Sequence, residues 1–359
     1  MILYNDILGT VGNTPIVRIN KLADHKRKNI FAKLEFFNPG KSVKDRIALN
    51  IISEAEAEGK LNKDSIILES SSGNTGIGLS IVSRVKGYPN IIVVDKNCPN
   101  EKIKLLKALG ATIVMITTEK NDSEDLTERR IEFVNQARDI LDHVFVPNQY
   151  ENPNAPLAHY KHTGQEIINF MEETGIYFKA IFISVGTGGT ISGISKRIKE
   201  FDPSIQIIGV EPLGSTLFGG EKGPYLQQGP GNYFQPKNLI YHDIDLGIKV
   251  SDQDAFNMCR RLALQEGILV GGSSGGVMHS AIDMCNEIAG NVLCVLPDGG
   301  EKYLDSIYSD KWLMEKGVVV EQQNINDVHI LNIDGLTDYS EFIRKLRGVV
   351  LKDEDQGTL

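Results

Sequence analysis

The sequence predicts an α/β fold with mostly parallel sheets, and three observations carry that expectation. Short β-branched runs recur along the chain, helical patterns separate them, and the runs are apolar without alternation. They are SIILES (65–70), NIIVVD (90–95), ATIVMIT (111–117), HVFVPN (143–148), AIFISV (180–185), IQIIGVE (205–211) and NVLCVLPD (291–298). Continuous apolar strands need cover on both faces, and the helices between them provide it.

The first helix opens behind the turn NPGKSVKDR. Ser42 reads as its N-cap with Asp45 three residues on, Ile47, Ile51, Ile52 and Ala55 form one apolar stripe, and Gly59 stops it. The stretch NEKIKLLKALG predicts another helix, with Ile103, Leu106 and Leu109 on one side and Gly110 at its end. Between Gly214 and Asn238 the pattern fails in a run rich in Gly, Pro and amides, too long for an ordinary connection, and such loops are usually functional. After Trp312 the text supports a strand or two, one helix and a polar tail, which reads as a small C-terminal appendage.

At 359 residues and 41% hydrophobic content the chain can build about two domains with a sizeable core. Its formal charge of -9, with no block of Lys and Arg, argues against a nucleic-acid partner, because nothing would neutralise the phosphates. No apolar run approaches the roughly 20 residues of a membrane helix, and the N-terminus lacks the pattern of a secretion signal, so a cytoplasmic protein is expected. Cys98, Cys259, Cys285 and Cys294 are scattered, without CxxC spacing or a nearby His pair, and read as buried or semi-buried thiols rather than a disulfide or a zinc site. There is no internal repeat.

Three glycine turns and one lysine stand out. In SVGTGGTISG a strand runs through Gly186, Thr187, Gly188, Gly189 and Thr190 into a helix, where successive N–H groups and the helix's positive end can converge on a phosphate. A turn needed only for packing is the alternative. The loop lacks the GK[ST] ending of a nucleoside triphosphate site. Glu211 after the next strand imitates the ribose carboxylate of a dinucleotide fold, but the third glycine of GxGxxG would fall on Ile191. In ESSSGNTGIGLS, residues Ser71, Ser72, Asn74 and Thr75 crowd a turn that suits a small carboxylate, or that simply caps a helix. In VGGSSGGVMHS, Ser273 is the first hydroxyl after the glycines. Lys44, just inside a helix start, would be costly as a buried ammonium, but a lysine tuned by burial can form a Schiff base with an aldehyde whose phosphate a separate loop holds. Together these features suggest pyridoxal 5'-phosphate.

In order along the chain, GNTPIVRI, KLEFFNPGKSVKDR, SSGNTGIGLS, LLKALGA, NQYENPNAPLAHYKHTGQEI, SVGTGGTISG, EGILVGGSSGG and LPDGGEKYLD resemble the fold type II pyridoxal phosphate enzymes of the cysteine synthase and cystathionine β-synthase group. The resemblance runs from about Gly12 to Asp305. It implies two doubly wound domains of the tryptophan synthase β-like kind, a smaller mobile one over 1–12 and 37–149 and a larger one over 13–36 and 150–315, followed by the appendage over 316–359. It also implies that Lys44 carries the cofactor and shuttles the α-proton, that Asn74 hydrogen-bonds the ring oxygen, and that Gly186 through Thr190 hold the phosphate. Ser273 would face the pyridine nitrogen, and a neutral hydroxyl there does not force that nitrogen to stay protonated, which weakens the electron sink. A weaker sink favours loss of a β-substituent, hence β-elimination or β-replacement through an aminoacrylate. Ser71, Ser72, Thr75 and Gln149 would grip the substrate carboxylate, the family implies a homodimer, and closure of the smaller domain would exclude water.

The chain departs from the family where GPGNYFQP places Asn232 and Tyr233 at positions usually small, and Asn232 is expected to reach a leaving group or an incoming water near the substrate's β-carbon. VVDKNCPN also replaces the usual Met-Pro and Met-Ser pairs. The expected substrates are cysteine, serine or an activated serine, with sulfide released from L-cysteine and water added to give serine. Alternatives are amine addition to O-phosphoserine, as in siderophore-type synthases, a noncatalytic sensor on the same fold, and a nicotinamide oxidoreductase. Intact Lys44, Asn74, Gln149 and Ser273 speak against the sensor, and the missing GxGxxG speaks against the oxidoreductase.

Overall fold

Ten strands make two sheets in the computed structural model, which describes residues 3–22, 29–118 and 126–321. They are β1 (Ile16–Ile19), β2 (Ile30–Leu34), β3 (Ile66–Ser70), β4 (Asn90–Asp95), β5 (Thr112–Ile116), β6 (Val144–Phe145), β7 (Phe178–Ser184), β8 (Gln206–Pro212), β9 (Leu246–Val250) and β10 (Asn291–Leu296). One sheet has the order β1-β2-β10-β7-β8-β9 and the other β5-β4-β3-β6. Every pairing is parallel except the antiparallel edge pair of β1 with β2. The α/β expectation thus holds, and all seven runs read from the sequence are strands. Strands β1, β2 and β9 escape that reading, because IVRI and LGIKV are short and only partly buried and IFAKL interrupts its apolar run with a lysine.

Among the described residues ten α-helices connect and cover the sheets: α1 (Lys44–Ala57), α2 (Asn74–Lys86), α3 (Asn100–Ala108), α4 (Thr127–Ile140), α5 (Asn154–Ala158), α6 (Gln165–Thr174), α7 (Gly189–Phe201), α8 (Asp252–Arg261), α9 (Gly272–Met284) and α10 (Asp310–Glu315). Helices α6 and α7 bury Ile167, Ile168, Met171, Ile191, Ile194 and Ile198 against Ile181, Ile183, Ile205 and Ile207 of the larger sheet region. On the smaller sheet, Ala48, Ile52 and Ala55 of α1 meet Leu79 and Val82 of α2 over Ile67. Each fully buried aliphatic side chain stabilises by roughly 1.5–3 kcal/mol before entropy is charged against it.

The end of α1 behaves as its sequence asks, and the start does not. Gly59 takes the left-handed conformation at φ 69°, and the N–H groups of Lys60 and Gly59 return to the carbonyls of Ala55 and Glu56, closing a Schellman turn. At the other end Ser42 lies one residue too early to cap. The helix begins at Lys44 behind Val43, Ser42 Oγ accepts only from Lys44 N–H at 3.2 Å, and the Asp45 carboxylate turns back to the N–H of Gly40.

Residues 1–318 form one compact unit. The appendage expected over 316–359 lies, beyond 321, outside the described residues. All four cysteines are buried thiols, and no described helix is long and apolar enough to cross a membrane.

Candidate active site

Loops at the carboxyl ends of β7 and β10 define the pocket. In the larger sheet the chain runs outward from β7 to β8 and β9 on one side, while β10 and β2 lie on the other, so these ends sit where the winding direction reverses. The crevice is lined by Ser184, Gly186, Thr187, Gly188 and Thr190 after β7, by Pro297 and Asp298 after β10, and by Val43, Lys44, Asn74, Gln228, Gly229, Pro230 and Ser273.

The segment Lys41–Lys44 is strapped onto the end of β10. Val43 N–H donates to Pro297 O at 2.8 Å, Gly299 N–H donates to Lys41 O at 3.2 Å, and Ser42 bridges Asp298. That strap puts Lys44 on the pocket wall. Burial pulls its ammonium down to about 8, while the charge of Asp298 pushes the other way, so the amine can give up its proton near neutrality. Beneath Lys44 a buried ion network fixes the first turn of α1. Arg46 reaches Glu35 Oε2 at 2.6 Å and Glu166 Oε1 at 2.6 Å, and Lys33 reaches Glu166 Oε2 at 2.7 Å.

Opposite stands the glycine loop. Gly188 has φ 84°, and a Cβ on it would lie 2.4 Å from the Leu239 backbone, so no other residue fits there. Helix α7 begins at Gly189, and Gly186, Thr187, Gly188 and Thr190 around that start line the crevice, which sets a helix N-terminus there as a ready anion site. Thr190 is backed by a buried His159, whose Nε2 is 3.2 Å from Thr190 Oγ1 and whose Nδ1 is 2.9 Å from Thr163 Oγ1. Burial and the charges of Arg46 and Lys44 hold this imidazole neutral, well below its ordinary value.

Asp298 gathers the three turns. Its carboxylate Oδ2 accepts from Asn74 Nδ2 at 2.8 Å and from Tyr303 Oη at 2.7 Å, and its backbone O accepts from Gly271 N–H at 3.2 Å, just before Ser273. Asp298 Oδ1 is buried with no partner. Sequence reasoning missed this residue, although its position at a strand's carboxyl end before two glycines was a usable signal. It also missed Gln228, which the long 214–238 loop delivers to the wall.

The hydroxyl turn sits beside Asn74. Ser71 Oγ accepts from Gly76 N–H at 3.1 Å, so that hydroxyl caps α2, and Thr75 Oγ1 donates to Gln149 Oε1 at 2.6 Å. Close by, Ser70 N–H donates to Oε1 of the buried Glu69 at 2.9 Å, and the N–H groups of Asn148 and Gln149 lie on the same carboxyl group's side. Ser71, Thr75 and Gln149 are buried and Ser72 is half-buried.

One sequence-derived site is placed differently. Asn232 does not line the pocket. Its Nδ2 donates to Gly186 O at 3.0 Å from behind the glycine loop, and its own carbonyl accepts from Thr216 N–H at 3.0 Å. The wall on that side is Gln228, Gly229 and Pro230. Glu211, the imitation of a ribose carboxylate, is consumed by Ser215, by the N–H groups of Leu217 and Phe218 at 3.0 Å each, and by Lys249 at 2.8 Å.

A glycine cradle without a fixed cation, a lysine amine tuned by burial, and one neutral hydroxyl at the start of α9 fit pyridoxal phosphate: an anion, an aldehyde and a ring nitrogen each find a matching group. Comparison with known proteins agrees. The chain is 40% identical over 330 residues to cystathionine β-synthase of Mus musculus, covering 89% of this chain and spanning 58% of the mouse protein's length. It is 40% identical over 308 residues to a probable cysteine synthase of Bacillus subtilis, covering 84% of this chain and 96% of that protein. A hydrogen sulfide-producing enzyme from Fusobacterium nucleatum superposes with a TM-score of 0.78 at 37% identity, covering 84% of this chain and all of that one. Since residues 7–298 also match the model of the pyridoxal-phosphate dependent enzymes, the chain belongs to that family.

Proposed function

We propose that this chain catalyses β-elimination and β-replacement on cysteine, serine or an activated serine, releasing sulfide from L-cysteine and adding water to leave serine. The observation that carries the reading is Lys44, strapped to the end of β10 on the wall of a pocket whose other side is the Gly186–Gly189 loop. When bound, pyridoxal phosphate supplies the electron sink that acidifies the α-hydrogen and lets a β-substituent leave. In this reading Lys44 holds the cofactor by its amine and carries the α-proton, a task suited to a group whose ammonium titrates at about 8. Gly186, Thr187, Gly188, Gly189 and Thr190 hold the phosphate by backbone donors, Ser273 offers a neutral partner to the ring nitrogen, and Asn74 is oriented by Asp298. Ser71, Ser72, Thr75 and Gln149 orient the substrate carboxylate.

The sulfide-releasing direction draws its support from the likeness to the Fusobacterium protein. The reading also carries with it a cytoplasmic homodimer. Incubation of the cofactor-loaded protein with cysteine, serine, O-acetylserine and O-phosphoserine in turn tests it. A visible band that shifts on addition, with sulfide and serine appearing from cysteine, is the expected result. Sulfide consumption with O-acetylserine and no release from cysteine would reverse the direction. In Lys44→Ala the band should no longer be fixed by borohydride to the peptide holding position 44, and turnover should fall by several orders of magnitude. Borohydride trapping on any other peptide would sink the assignment.

A further inference from the structure

Helix α3 buries a charge where its sequence offers an aliphatic face. Lys102 lies one turn before Leu106 on the inner side and is only 3% exposed. Its ammonium donates to Gln228 Oε1 at 2.6 Å and stands 5.4 Å from the centre of the Tyr303 ring, so its partners are a neutral amide and an aromatic face. Among the described residues no carboxylate lies within ion-pair distance of it. Lys302 is the second cation of the cluster, donating to Asn74 Oδ1 at 2.5 Å and lying 3.8 Å from Asp298 Oδ2.

Gln228, Asn74 and Asp298 all line the pocket, so both ammonium groups stand directly behind its wall. Asp298 is the carboxylate that the ammonium groups of Lys44, Lys102 and Lys302 share, and it already serves Asn74 and Tyr303. A buried cation is costly unless a counter-charge meets it, and an anion is a far better acceptor for an ammonium than an amide oxygen. Gln228 belongs to the glycine-rich 214–238 loop, whereas Lys102 comes from a helix beside the smaller sheet, so the bond between them joins two separate elements at the pocket wall and can be exchanged for one to a ligand.

We propose that Lys102, with Lys302 beside it, forms a subsite for a second negative charge on the reacting molecules, a phosphate or carboxylate carried by the leaving group or by the incoming nucleophile. Its role, though not its existence, rests on the function proposed above. Titration calorimetry of the cofactor-loaded protein with inorganic phosphate and with thioglycolate reads the subsite without turnover. Wild type should bind both at millimolar concentrations, Lys102→Arg should keep binding, and Lys102→Met should bind about tenfold more weakly. Equal binding by wild type and Lys102→Met, or no binding by wild type, overturns the subsite. The wild-type titration decides even if Lys102→Met does not fold.

Turnover then separates the two sources of charge. A Lys102→Met loss confined to O-phosphoserine relative to O-acetylserine assigns the subsite to the leaving group. A loss confined to thioglycolate relative to 2-mercaptoethanol assigns it to the nucleophile, and no selective loss in either comparison overturns its role. Phosphate binding through Lys102 in a protein that transforms none of the four amino acids would leave the subsite standing and sink the proposed function instead.

Discussion

At the scale of single residues, Asn232 shows how a side chain can matter to a site it does not enter. Its amide donates to the Gly186 carbonyl and so fixes the first peptide of the glycine loop. An aspartate there would replace a donor with an anion facing a carbonyl oxygen, and leaving that partner unsatisfied costs about 1–3 kcal/mol. Asn232→Asp should therefore weaken pyridoxal phosphate binding about tenfold or more, measured by the cofactor concentration needed to restore the visible band, with turnover at saturating cofactor much less affected. Faster turnover at unchanged cofactor affinity would instead place Asn232 next to the substrate. Lys44, Asn74 and Ser273 were legible in the sequence because each follows a glycine-rich or capping turn at a helix start. Asp298 and Gln228 were not. What assigns them is which strand end and which loop the fold brings beside Lys44, and local pattern holds no record of that.

At the scale of elements, the first turn of α1 depends on partners from two other places in the chain. Arg46 is 3% exposed and meets Glu35 just after β2 and Glu166 on α6, while Lys33 from β2 completes a group of two cations and two carboxylates. Removing one member of such a buried set leaves an uncompensated charge and costs about 3–5 kcal/mol. Arg46→Met should lower the urea midpoint accordingly, and Glu35→Gln in the same chain should return part of the loss. An unfolding free energy within about 0.5 kcal/mol of wild type would show that the network contributes nothing. Runs of buried parallel strand and the Gly59 stop were readable because they repeat a period or a local rule. The Ser42 cap was misread because the backbone of Ser42 is bridged to Asp298 just after β10, a tertiary contact that leaves its hydroxyl only the N–H of Lys44.

At the scale of the whole molecule, buried carboxyl groups pull stability in opposite directions along the pH axis. Burial would raise Glu166, but hydrogen bonding and attraction from Arg46, helped by Lys33, bring it down to about 2, and Glu35 is lowered by the same cations. Their contribution is complete above the ordinary value of 4.5 and is lost as pH falls through that range. Asp45 and Glu69 behave oppositely: burial raises each to about 7, against the N–H of Gly40 for Asp45 and those of Ser70, Gln149 and Asn148 for Glu69. The folded protein binds these two protons more tightly than the unfolded chain. Their contribution is therefore complete below the ordinary values of 3.8 and 4.5 and disappears as pH climbs towards 7. Glu69 Oε2 has no partner, so a glutamine amide can stand where the protonated acid stands while Oε1 still accepts from Ser70 N–H. Glu69→Gln should match wild type in urea midpoint at about pH 5 and exceed it at about pH 8, because the variant has no proton to lose between them. Equal destabilisation at both values would mean that Glu69 is held as an anion by Arg130, and that the turn carrying Gln149 is anchored by charge rather than by a neutral acid.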